Sequence, residues 1–262
     1  MSLTGKTKAA SYKDILQMNN SNSGVDGTTR NVVDGEGTAS SLSVSDDVLK
    51  VAPQNDDTTS TFNVRDKDNN SLLTVDSLNA LVKAGIGQHI VNTNIKEFAM
   101  DYTEENPNVA DTWYGLVSTF NHSDQNDLTM GTGSTPATTL TIASTANTAV
   151  KHYWYVPFNI SIDSCNVWFG ADAGAGDVVK FSVMSYTVDS ANGSTGGDLS
   201  SGIEHCVSPA TITGAGREQA YYQALTVSTA DVAVGQVILA CVAQDDVNSD
   251  LTINMQLVYH LR

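Results

Sequence analysis

The chain has 262 residues, with 13 Lys/Arg against 29 Asp/Glu, a formal net charge of −16 and a pI near 4.4. So acidic a surface argues against nucleic-acid and anionic-membrane partners, and no run of about 18 apolar residues is present to span a bilayer. Apolar residues make up 40%, and plentiful Gly, Ser, Thr, Asn and Asp with only 5 Pro favour strands and turns over helices.

Residues 1–50 read as an extended N-terminal arm. The start, MSLTGKTKAAS, has no apolar segment of signal-peptide kind, so synthesis in a cytosol without export is expected. Its first thirteen residues hold Lys6, Lys8 and Lys13 and no acid, a basic tip that suits an acidic partner. Ser11 can cap one or two helical turns through Met18, which carry Tyr12, Ile15 and Leu16. Beyond them, NNSNSGVDGTTRNVVDGEGT has no apolar period, and nothing in it is expected to order itself.

Residues 51–97 read as a small β-meander. In TFNVRDKDNNSLLTVDSLNALVKAG, Phe62 and Val64, then Leu73 and Val75, then Leu81 mark three short strands, with Asn79 as a turn residue. So few apolar side chains make a marginal sheet, which needs a neighbouring domain or a second copy of itself. Asp66, Asp68 and Asn70 alternate as the first ligands of a Ca²⁺ loop do. Ser71 and Ser77 stand where that loop needs Gly and Glu, so a hairpin turn is the expectation.

Residues 98–262 read as an antiparallel, jelly-roll-like β-sandwich. Strands are expected near 113–120, 138–144, 153–162, 165–170, 178–188, 219–228, 236–243 and 251–261, with a ninth near 205–213. The clearest is 251–261, where Leu251, Ile253, Met255, Leu257, Tyr259 and Leu261 face one way and Thr252, Asn254, Gln256 and His260 the other, with Val258 the one exception. The glycine-rich stretches ADAGAGD and SANGSTGGDLSSG read as loops. Net charge is concentrated here: residues 98–262 hold four Lys/Arg and seventeen Asp/Glu, residues 1–97 nine and twelve.

Chemistry is hard to find. GADAGAGD lacks the Lys-Ser/Thr and the following helix of a phosphate loop, and no GxSxG, HExxH or paired-cysteine zinc spacing occurs. Cys165, Cys206 and Cys241, three and widely spaced, read as reduced, buried thiols. His89, His122, His152, His205 and His260 read as surface or subunit-interface residues, and the Asp245, Asp246 and Asp250 cluster as a solvated turn. The aromatics Tyr153, Trp154, Tyr155 and Phe158, with Trp168, Phe169, Tyr221 and Tyr222, read as core and oligomer interface before sugar platform. No cofactor, metal or catalytic residue is expected.

Three stretches carry a resemblance. SYKDILQMNNSNSGVDGTTRNVVDGEGTASSLSVSDDVLKV resembles the N-terminus of virion proteins of tailed phages, marine and cyanobacterial ones in particular. TFNVRDKDNNSLLTVDSLNALVKAG looks like the short meander near the base of phage fibre and decoration proteins. The span from WYVPFNISIDSCNVWFG to LTINMQLVYHLR looks like their C-terminal sandwich. The resemblance implies a homotrimeric, non-enzymatic particle protein on the capsid surface. As a decoration (cement) protein it would bind the major capsid protein and stabilise the shell. Its grip would lie in Lys6, Lys8 and Lys13 against an acidic rim, with Tyr12, Ile15 and Leu16 as apolar anchors. The alternative is a fibre or receptor-binding protein whose sandwich takes a host surface glycan. The absence of a long shaft between residues 97 and 113 favours decoration.

Overall fold

A computed structural model describes residues 16–20, 23–100, 109–118, 128–142, 149–171, 178–191, 193–209, 211–212, 219–245 and 251–262. The chain divides into two units, residues 1–92 and 93–262. The division falls five residues before the sequence-based limit of the meander at residue 97.

The first unit holds two small antiparallel sheets. One joins β1 (Gln17–Met18), β2 (Arg30–Val33), β3 (Ala39–Val44) and β4 (Leu49–Val51) in chain order. The other joins β5 (Phe62–Arg65), β6 (Ser71–Asp76), β7 (Leu81–Ala84) and β8 (His89–Ile90) in the same way. The described part of the arm therefore forms strands, where none was expected from its sequence, and the meander has four strands where three were expected. The overlooked signal is turn chemistry. Asp34 accepts from the amides of Glu36 and Thr38 (both 2.9 Å), and Gly37 takes φ +89°, which closes the β2–β3 hairpin.

The two sheets repeat one design. NVVDGEGT (31–38) and NVRDKDNN (63–70) align residue for residue at Asn, Val and Asp. Asp66 accepts from the amides of Asp68 (2.9 Å) and Asn70 (2.8 Å), as Asp34 does at the matching positions, and Asn69 takes φ +68° where Gly37 stands. Ser43 donates to Asn31 (2.8 Å), and Asn63 donates to Thr74 (3.1 Å). Both leading hairpins carry a register shift, between Asn31 and Val33 and between Val64 and Arg65.

The second repeat buries the wrong face for a free-standing sheet. Among the described residues of the first unit, the buried side chains are Val33, Ser43, Ser45, Thr74 and Asp76, one apolar and four polar. Register places Phe62, Val75 and Val82 side by side, and next to them Val64, Leu73 and Ala84. That apolar face is open, with Phe62 39% and Val64 41% exposed. The polar face is the satisfied one. Thr74 donates to Gln88 (2.6 Å), and Asp76 accepts from the Asn79 amide (2.9 Å) and from Lys83 (3.1 Å).

The second unit is one large antiparallel sheet. Its strands are β9 (Thr93–Met100), β10 (Thr112–Gly115), β11 (Thr129–Thr132), β12 (Trp154–Tyr155), β13 (Ile160–Ala171), β14 (Val178–Val188), β15 (Leu199–Val207), β16 (Thr211–Ile212), β17 (Gln219–Val227), β18 (Asp231–Val232), β19 (Val237–Gln244) and β20 (Leu251–Leu261). The hydrogen-bonded path runs β11-β10-β19-β14-β15-β17-β13-β20-β9. It curls back on itself, because Ala99 of β9 bridges to Val117, just past β10 (N···O 2.9 and 3.0 Å). The fold is thus all-β and sandwich-like, as the sequence led us to expect.

Two cores result. Inside the curl lie Phe98, Val167, Phe169, Phe181, Val183, Ile238, Ala240, Met255 and Leu257 among others. Behind β10, β14 and β19 lies a second cluster with Trp113, Met130, Met184, Tyr186, Leu199 and Leu239. β19 is buried at every position, which is why VILACVAQ reads as an unbroken apolar run instead of an alternation.

Several expected strands are recut. The segments 153–162 and 165–170 become β12 and the long β13; the polar Ser161–Ser164 stretch is not a turn but a bulge, with a register shift between Ile162 and Ser164. β15 begins at Leu199, inside what reads as a glycine loop. Gly202 is required there by packing, since a Cβ would sit 2.7 Å from Tyr186 Cε1 and 2.8 Å from Thr138 Cα. Of the strand expected at 138–144, the described residues show only the bridge Leu140–Leu199.

Candidate functional site: the outer face of β17, β13, β20 and β9

Period-2 alternation gives these four strands one face on the core and one face outward. Tyr222, Trp168, Asn254 and Ala99 form one cross-strand row of the outward face. Ala224, Asn166, Gln256 and Glu97 form the next. Trp168 is 57% and Tyr222 53% exposed. Their rings stand 4.9 Å apart, tilted by 49°. The residues flanking them are small: Gly170, Ala220, Ala224 and Ala99 leave the rings proud of the sheet.

Hydrogen bonds hold the polar groups around the rings. Tyr222 OH donates to Asn166 Oδ1 (2.9 Å), which fixes both the phenol and the amide. Gln256 Nε2 donates to Glu97 Oε1 (3.2 Å). Among the described residues of these strands no Lys or Arg faces outward; Lys96 of β9 turns inward and donates to the Ser118 carbonyl. The face therefore offers two aromatic surfaces, several amides and the Glu97 carboxylate, while Asp163 is engaged by His260 and the aliphatic pair Val258 and Ile95 lies further along.

The histidines expected at the surface lie elsewhere. His152, His205 and His260 are buried, against expectation, while His89 is exposed. His205 Nδ1 donates to the Thr229 carbonyl (2.7 Å), so Nε2 accepts from Ser185 Oγ (2.7 Å). That is the hydrogen-bond pattern of a base and its serine. Ser185 is fully buried and His205 1% exposed, so no substrate reaches them and the pair is a buried tether between strands. Burial pushes the His205 pKa down, against the pull of the Thr229 carbonyl and Asp231. His260 Nδ1 bonds Asp163 Oδ1 (2.8 Å), a contact that the β13 bulge makes possible.

Cys165, Cys206 and Cys241 are free and buried. The Cys206 side chain, then burial, push the Cys165 thiol far up. Burial does the same to Cys241.

In DKDNN the Asp66 carboxylate is committed to the turn amides, and Asp68 pairs with Lys67 (2.7 Å). Among the described residues no group of three or more His, Cys, Asp or Glu is placed to hold a metal ion. Asp245 accepts from the Val178 amide (2.6 Å); Asp246 and Asp250 lie outside the described residues. So do Lys6, Lys8, Tyr12, Lys13 and Ile15. Leu16, the remaining expected anchor, is described and is 66% exposed.

Trp168 and Tyr222 were legible as aromatics but not as partners. They sit in strands far apart in sequence, and only the β13–β17 register brings them together. The chain matches no protein-family model, and no curated protein is significantly similar to it.

Proposed function

We propose that the chain is a non-enzymatic structural protein of a tailed-phage particle, a homotrimer held by residues 1–92 that carries residues 93–262 as its binding or protective body. The observation that carries this reading is the repeat in the first unit. Both meanders pair their strands and hydrogen-bond their polar side chains, and the second leaves an apolar face open at Phe62 and Val64. Repeats that cannot bury their apolar face alone gain a core by packing against further copies.

Two places on the particle fit. A fibre or receptor-binding protein is favoured by the tandem repeat and by the exposed Trp168–Tyr222 face. Head decoration, with the major capsid protein as partner, is favoured by the direct link between the units. β8 ends at Ile90 and β9 starts at Thr93, so nothing longer intervenes. Of the two, the repeat and the aromatic face give the receptor-binding reading the greater support.

Gold-labelled antibody against residues 93–262, viewed on intact particles by electron microscopy, tests both. Label confined to the tail or to a few vertices is the expected result. Even label over the head assigns decoration instead. Particles that carry no label rule out the whole reading.

A further inference from the structure

We propose that the outward face of β17, β13, β20 and β9 is a binding site for an uncharged oligosaccharide, with Trp168 and Tyr222 as its stacking platform. The inference deepens the receptor-binding reading by naming the ligand class. It is tested on the free protein, so either can fail while the other stands.

The chemistry of the face selects the ligand. A pyranose ring has one face of C–H groups and a rim of hydroxyls. The first needs an exposed aromatic plane, and the second needs amides, which donate and accept, and carboxylates, which accept. Trp168 supplies the plane, and Tyr222 meets it at 49° as a second wall. The rim groups are in register with the rings. Asn254 pairs with Trp168 on β20, and Asn166, one row on, is held by the Tyr222 hydroxyl. Because Asn166 Oδ1 accepts that bond, its amide N–H groups remain for a hydroxyl. Glu97 uses one carboxylate oxygen on Gln256, which leaves the other as an acceptor. From β17 to β9 the platform is about 14 Å wide, at roughly 4.8 Å per strand. A short oligosaccharide lies across that width.

Charge excludes the alternatives. With a carboxylate and no outward Lys or Arg among the described residues of these strands, a sulfated, phosphorylated or uronic-acid sugar meets no counter-charge. A protein partner of the size of a stable subunit interface needs about 800 Å² per side with an apolar centre. This face has two rings set among Asn, Gln, Thr and Ala, and its aliphatic side chains, Val258 and the exposed Ile95, stand two rows away from the rings. The first unit offers copies of this chain an apolar surface of its own, with Phe62 and Val64 exposed side by side.

The test uses the full-length protein on a printed array of neutral and acidic oligosaccharides, with sedimentation velocity run in parallel. Wild type is expected to bind neutral glycans. Trp168→Ala and Tyr222→Ala are expected to weaken that binding at least about tenfold. Trp168→Phe retains part of it, and Tyr155→Ala, an exposed aromatic away from this face, leaves it unchanged. Unaltered thermal melting shows that the variants remain folded. Binding to acidic glycans alone, or to none, overturns the proposal. So does a drop in oligomer size for Trp168→Ala, which assigns the face to contacts between copies.

Discussion

The two units of this chain satisfy their backbones equally and bury side chains very differently. Every strand of both is paired in an antiparallel ladder. Yet of the buried apolar side chains among the described residues, Val33 alone belongs to residues 1–92, and the rest fall between Phe98 and Leu257. Ladder hydrogen bonds contribute little net stability, because the unfolded chain makes the same bonds to water. Apolar burial decides which unit stands by itself. The second unit has an inner core, and behind β10, β14 and β19 it has another. The first has polar clusters fixed by Asp-capped turns and an apolar face without cover.

The strongest way to break this comparison is to separate the units. Residues 93–262 alone are expected to melt in one cooperative transition close to that of the full chain, followed by circular dichroism. Residues 1–92 alone are expected to show no cooperative transition as a monomer. A transition that appears and rises with concentration is the mark of association. A concentration-independent cooperative melt of residues 1–92 would overturn the contrast.

Point substitutions sharpen it. Phe181 is fully buried, with its ring 5.0 Å from that of Phe169. Phe181→Ala is expected to cost about 3–5 kcal/mol in urea unfolding. Phe62, 39% exposed on the open face of β5, is expected to cost less than about 1 kcal/mol in a monomer, while Phe62→Ala weakens self-association in sedimentation. Equal losses at the two sites would show that the first unit has a core of its own.

How much of this the sequence discloses depends on where a pattern is local. β14 and β20 are legible to the residue, since Val178–Val188 is a dense apolar run between turn-rich stretches and Leu251–Leu261 alternates as far as Leu257. β2 and β3 are not, because Ser40, Ser43 and Ser45 carry no apolar period and the hairpin is written in Asp34 and Gly37. The repeat is legible once Asp34 is set beside Asp66, but it is hidden when the stretch is dismissed on composition. His260 misleads for another reason. Alternation puts it on the outward face correctly, and only the bulge that brings Asp163 over it explains its burial. The Trp168–Tyr222 pair is a tertiary fact, since residues 54 positions apart meet only through strand register.

Acid separates the units by a smaller effect and with a known sign. Five described aspartates have carboxyls held below their ordinary pKa: Asp26, Asp34, Asp66, Asp76 and Asp189. Four of them are in the first unit. At Asp76, burial works to raise the value, and the Asn79 donors and Lys83 outweigh it. Groups with a lowered folded pKa contribute stability that is fully present above the unfolded carboxylate range. It is lost as pH falls from about 4 through the folded values. The second unit answers earlier. His205 is lowered by burial, so the unfolded chain takes up its proton first, and stability declines once pH falls below about 6.5. The three tryptophans, Trp113, Trp154 and Trp168, all lie in the second unit, so their fluorescence follows that unit alone, while amide resonances of the Asp34 and Asp66 turns follow the first. His205→Asn is expected to remove the slope between pH 6.5 and 5 in tryptophan-monitored stability and leave the turns unaffected. Asp76→Asn is expected to flatten the loss below pH 4 in the first unit only. A single acid transition, shared by both probes and unmoved by either substitution, would mean that the two units fold as one.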